Sequence, residues 1–124
     1  MVDENQSSIL AMTVRGYYDQ IDRNDLVSAL SLFADTAVYV RPGYLPMIGI
    51  AAIKEFFTTE RIISVGSHVV ENLLVDGLNV GCFGSFSGKA FSGERLEVRF
   101  ADFWYFDSAL QVTTRESFFG VPAV

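Results

Sequence analysis

The sequence has one cysteine, one histidine, one tryptophan and three prolines in 124 residues. The lone Cys82 excludes an internal disulfide framework and fits a reducing compartment. Cys82 and His68 lie fourteen residues apart with no ligand spacing between them, so neither a metal site nor a cofactor is expected. No Gly-rich dinucleotide loop, phosphate loop or nucleophile elbow occurs. Positive charge is also scarce. Nine Lys and Arg face fifteen Asp and Glu, giving a net charge of -6, and the basic residues are scattered. That argues against nucleic-acid binding and against anchoring to an anionic membrane. No apolar run approaches the roughly 20 residues needed to span a bilayer. The opening MVDENQSS has no basic region followed by an apolar one, so no secretory signal is read and a cytoplasmic location is expected.

Half of the residues are apolar and eleven are phenylalanine, while only 19% are charged. One domain over residues 1–124 is expected, with bulky side chains in its core and either a subunit interface or an apolar cavity absorbing the excess. Leu10, Val14, Tyr17 and Ile21 make one helical stripe, with Tyr18 beside them and Ser7 or Ser8 as a candidate cap. Asn24 or Asp25 would cap a second helix that turns Leu26, Ala29, Leu30 and Phe33 inward. A short strand is predicted from Thr36 to Pro42, then a loop through Tyr44, Leu45 and Pro46. A third helix is predicted from about Ile50 to Thr59. Four strands follow: Ile62 to Val75, Asn79 to Gly88, Gly93 to Phe106 and Leu110 to Phe119. Asp76–Gly77 makes a hairpin turn, and the glycines of the second of these strands suggest bends or bulges. Helices first and long antiparallel strands after them predict an α+β fold.

VRFADFWYF raises one question. With period 2, Phe100, Asp102, Trp104 and Phe106 share a face, which places a carboxylate among aromatics. Such a group needs a partner or must stay protonated.

The stretches YYDQIDRNDLVSALSLFADTAVYVRP, GIAAIKEFF, RFADFWYF and TTRESFF resemble the nuclear transport factor 2-like superfamily. Within it they are similar to the ketosteroid isomerase and SnoaL-like polyketide cyclase group. The resemblance implies a cone-shaped α+β fold with a curved antiparallel sheet wrapped over three N-terminal helices and an apolar pocket between them. It also implies a small apolar ligand and a homodimer packed through the outer sheet face. Tyr17, eight residues before Asp25, and Asp102 match the residues that hydrogen-bond an enolate oxygen in the isomerases, where the aspartic acid is held neutral by its apolar site. The family's general base falls eight residues after Phe33, just before a proline; here that residue is Arg41, which cannot act as a base.

Asp102 and Tyr17 are therefore the candidate catalytic residues, and Arg41, Tyr39, Trp104 and His68 the candidate substrate-binding ones. Arg41 has three readings: a clamp for an anionic group, a partner of Asp102, or a solvent-facing strand end. His68 would be the one neutral-pH base if it faces inward. Limonene epoxide hydrolase, a further relative, uses an arginine with two acids. Arg99 and Asp102 stand three apart, however, and so fall on opposite strand faces. Two functions stay open: an isomerase, cyclase or dehydratase working through an enol-type intermediate, or a non-catalytic binding or dimerisation module that has lost its base.

Overall fold

The computed structural model describes residues 4–120. Helix α1 runs from Glu4 to Asp22 and buries Leu10, Val14, Tyr17, Tyr18 and Ile21. It begins before Ser7 and Ser8, so neither caps it. Asn24 takes φ 59°, a left-handed stop that suits asparagine. Asp25 then caps α2 (Leu26–Leu30) by accepting from the Ser28 amide at 3.2 Å. Strand β1 is Phe33–Val40, starting earlier than predicted because Phe33 and Ala34 already face the core. The expected loop after it contains a two-residue strand, β2 (Met47–Ile48), which returns against β1. Helix α3 (Ile50–Glu55) continues as a π-helical turn over Phe56–Glu60, and together they bury Ile53, Phe56 and Phe57.

The long strands are β3 (Ile63–Asp76), β4 (Asn79–Ala90), β5 (Arg95–Phe106) and β6 (Val112–Gly120). They form one sheet in the order β2-β1-β6-β5-β4-β3. The sheet is mixed rather than wholly antiparallel, because β1 and β6 run parallel. β3 to β6 zigzag inward from one edge, so β6 arrives beside β1 only after the whole intervening chain has been laid down. The sheet curves over the helices without closing. Its bend depends on missing side chains. A Cβ at Gly84 would lie 1.8 Å from the Val69 carbonyl oxygen, beside a register shift between Val70 and Asn72.

The inner face carries the core, with Trp104, Tyr17, Tyr18, Tyr39 and Phe56 almost fully enclosed. The outer face leaves Val69, Phe83, Phe103 and Phe118 exposed. No helix among the described residues is long and apolar enough to cross a membrane.

Candidate active site

The register of the three central strands assembles a polar cluster inside this core. Cys82, Asp102 and Ser117 stand side by side on β4, β5 and β6. One inward step along, Arg115 is opposite Trp104, diagonal to Asp102. Asp102 is 2% exposed, Arg115 4% and Ser117 2%.

Asp102 is an acceptor throughout. One carboxylate oxygen takes a hydrogen bond from Arg115 Nη2 at 2.9 Å and another from the Tyr18 hydroxyl. The other oxygen accepts from Ser117 Oγ. Of the two readings of Asp102, held protonated or given a partner, the geometry supplies a partner, and it is Arg115 rather than Arg41. The tyrosine on Asp102 is Tyr18, whose hydroxyl also meets Cys82 Sγ at 3.2 Å and accepts from Trp104 Nε1 at 3.4 Å. Burial pushes the Cys82 thiol pKa up, which makes it a poor nucleophile.

The Arg115 guanidinium sits 4.7, 4.6 and 4.5 Å from the ring centres of Tyr17, Tyr39 and Trp104. Burial is the largest single influence and opposes its charge, but the Asp102 carboxylate together with the oxygens of Tyr17, Tyr39 and Tyr18 outweighs it and holds the Arg115 pKa well above the usual arginine value. Its second fork nitrogen, Nη1, donates to Tyr17 Oη at 2.5 Å. Nε is left as the one buried side-chain nitrogen or oxygen without a partner among the described residues. Burial pushes the Tyr17 phenol up to about 12, against the pull of Arg115. Tyr17 thus keeps its proton at neutral pH. Since its oxygen is already an acceptor, that proton is available for donation.

Tyr17, Asp102, Arg115 and Ser117 line a cavity of about 320 Å³. Most of the wall is apolar: Ile21, Phe57, Ile63, Phe86, Leu96, Val98, Phe100 and Phe119. This size is at the low end for small-molecule sites, which run from about 300 to 1,000 Å³. His68 also lines it. Its Nδ1 lies 2.6 Å from Asp22 Oδ1, and its backbone N–H donates to Asp22 Oδ2 at 2.8 Å. A carboxylate accepts here, so Nδ1 carries a proton, and in the neutral ring that tautomer puts the lone pair on Nε2. Asp22 ends α1, where the helix dipole disfavours a negative charge. The two bonds from His68 satisfy it there.

Of the residues expected from sequence, Asp102, Tyr17, Arg41 and His68 all reach this cavity. Tyr39 and Trp104 lie one layer behind it, against Arg115. The Tyr39 hydroxyl is 2.8 Å from Ser117 Oγ and accepts from Arg41 Nη1 at 2.9 Å, so Arg41 reaches Asp102 only through two intervening hydroxyls. Arg99 faces outward and pairs with Glu71 at 3.1 Å. Sequence reasoning missed Tyr18, Asp22, Arg61 and the role of Arg115. Period 2 in TTRESFF does put Arg115 and Ser117 on one face, and pairing β6 with β5 would have pointed them at Asp102.

An open, curved sheet over three helices, with an apolar cavity lined in part by this polar cluster, has the architecture of a cone-shaped nuclear transport factor 2-like fold. A family model for the SnoaL-like domain matches residues 14–112, and the chain belongs to that family. Solved structures agree on the fold. A nuclear transport factor 2-like protein of unknown function from Burkholderia pseudomallei K96243 is 19% identical, with 90% of each chain covered and a TM-score of 0.81. A proposed SnoaL-like polyketide cyclase from Jannaschia sp. CCS1 is 16% identical, covering 96% of this chain and 90% of its own, with a TM-score of 0.82. TerC, co-crystallised with polyporic acid, is 19% identical over 90% of this chain and 91% of its own, with a TM-score of 0.78. No curated protein matches the sequence.

Proposed function

We propose that the protein is an acid–base enzyme of the isomerase, cyclase or dehydratase kind, acting on a small apolar carbonyl compound through an enol-type intermediate. One observation carries this reading. An oriented imidazole and a phenol backed by a buried cation open onto the same apolar cavity.

His68 Nε2 takes the proton next to the carbonyl, the C–H pair forms the carbon–carbon double bond, and the carbonyl π pair moves onto the oxygen. Asp22 stabilises the imidazolium that forms. Tyr17 donates to the developing oxyanion, and Arg115 behind it supplies positive charge that needs no reorganisation. Asp102 then acts as a positioning residue, keeping Arg115 charged and aimed at Tyr17. Return of the proton at another carbon gives isomerisation. Loss of a β-hydroxyl gives dehydration, and attack on a second carbonyl gives cyclisation. His68 thus fills, from a different strand, the role left empty by Arg41. The cyclase description of the Jannaschia protein and the polyporic acid bound to TerC support a small, ring-containing ligand. The same reading includes a homodimer joined through the exposed apolar outer face of the sheet.

The test is exchange of α-protons for deuterium in a panel of rigid cyclic ketones, followed by NMR. Wild type should catalyse it, and His68→Gln should lower the rate by about a hundredfold or more, the usual share of a general base. Binding of these ketones with no exchange in wild type would favour the alternative, a non-catalytic binding module. Exchange unaffected by His68→Gln would remove the imidazole from the mechanism.

A further inference from the structure

We propose that the ligand of this cavity is an anion, a small aromatic or alicyclic carboxylate, whose acid group is held by Arg41 and Arg61. The inference rests on the cavity being the ligand site, and it adds the ligand's charge class.

Three of the chain's nine basic residues line this one cavity, in a protein of net charge -6. Arg115 already has a carboxylate partner, Asp102, at 2.9 Å. The other acid on the wall, Glu97, pairs instead with the exposed Arg95 at 2.9 Å. Among the described residues, neither Arg41 nor Arg61 has a carboxylate partner. Their neighbours are rings. Arg41 lies 4.8 Å from the centre of Phe119 and 5.1 Å from that of Phe56, and Arg61 lies 5.9 Å from that of Phe57. Arg41 gives one hydrogen bond, to Tyr39, so most of its five donors are unspent.

Two half-buried guanidinium groups without counter-charge are unfavourable on their own. Burial lowers the Arg61 pKa, and the like charges of Arg41 and Arg115 add to that push. An incoming carboxylate reverses the balance. The guanidinium fork matches a carboxylate edge in two parallel hydrogen bonds, while the flat faces rest on aromatic rings. The rest of the wall, Phe86, Phe100 and Val98 included, asks for an apolar body attached to that acid group.

The experiment compares 2-naphthoate with the neutral 2-naphthylmethanol by isothermal titration calorimetry. Wild type should bind the carboxylate at least about tenfold more tightly, as charge-assisted hydrogen bonds supply. The preference should fall to near unity in Arg41→Gln/Arg61→Gln. Arg41→Lys/Arg61→Lys, which keeps both charges and guards against a misfolded glutamine variant, should retain part of it. Equal binding of the two compounds by wild type would overturn the anionic ligand and leave the enol reading of the cavity standing. A preference that survives the glutamine variant would assign the anion to Arg115 and also overturn the proposal. Failure of wild type to bind either compound would overturn both readings.

Discussion

Asp102 is the residue on which the others depend. It gathers three donors from one strand and a helix, and among the described residues it is the carboxylate that balances Arg115. Asp102→Leu leaves a buried guanidinium without its partner, which should cost about 3–5 kcal/mol. Thermal unfolding followed by circular dichroism measures this. The double variant Asp102→Leu/Arg115→Met should recover most of the loss, since replacing both members of a buried pair by apolar groups is often neutral. A small loss in the single variant would mean that the pair does not hold this part of the core together. Tyr17 provides a second check. Its folded pKa, about 12, lies above the ordinary value of 10.0, so the folded chain holds this proton longer than the unfolded one. Its contribution to stability is therefore complete below about pH 10 and is lost as pH climbs toward 12. Tyr18, raised by burial and by Asp102, acts in the same direction. The midpoint of unfolding should fall above pH 10, and Tyr17→Phe should fall less steeply than wild type. That Asp102 points inward was legible from alternation alone. The identity of its partner was not, because the register that sets Asp102 against Ser117 includes a shift at Tyr105/Phe106 that no periodicity shows. Nor could a pattern join His68 to Asp22, which are 46 residues apart.

At the scale of elements, the curvature of β3 and β4 makes the cavity possible. Gly84→Ala forces a methyl group against the Val69 carbonyl, where the space is 1.8 Å and the obstacle is backbone. The strands must separate or slide. The expected result is a much lower unfolding temperature together with weakened binding of any cavity ligand, read by thermal shift and calorimetry. Gly81→Ala meets only the Phe103 ring at 3.3 Å and serves as the milder control. Much of this layer was written in the sequence. The stripe of α1 and the Asp25 cap follow from local chemistry, and so does the hairpin at Gly77, although its two turn residues are Gly77 and Leu78, one position past the expected Asp76–Gly77, because Asp76 still pairs with Asn79. The parallel contact of β1 with β6 and the short β2 do not, since strand order depends on how distant segments meet.

For the whole molecule, the two faces of the sheet have different destinies. The inner face encloses the site, and the outer face exposes Phe83, Phe103 and Phe118. In the proposed homodimer this face is covered. Phe103→Glu should then convert a dimer to a monomer in analytical ultracentrifugation. A wild-type chain that sediments as a monomer at all concentrations would refute that assembly.

The parallel pairing of β1 and β6 also bears on how the protein is made. β3, β4 and β5 can stack as each emerges, because every contact is with the strand just before. β6 is different. It must insert between β5 and β1, the latter formed some eighty residues earlier, and such distant contacts are slow to form. Until it does, Asp102 has neither Arg115 nor Ser117, and the aromatic cage around the guanidinium is empty. Any enzymatic competence therefore waits on the insertion of β6. A nascent chain stalled before β6 would be one whose half-built core is open to chaperones and proteases.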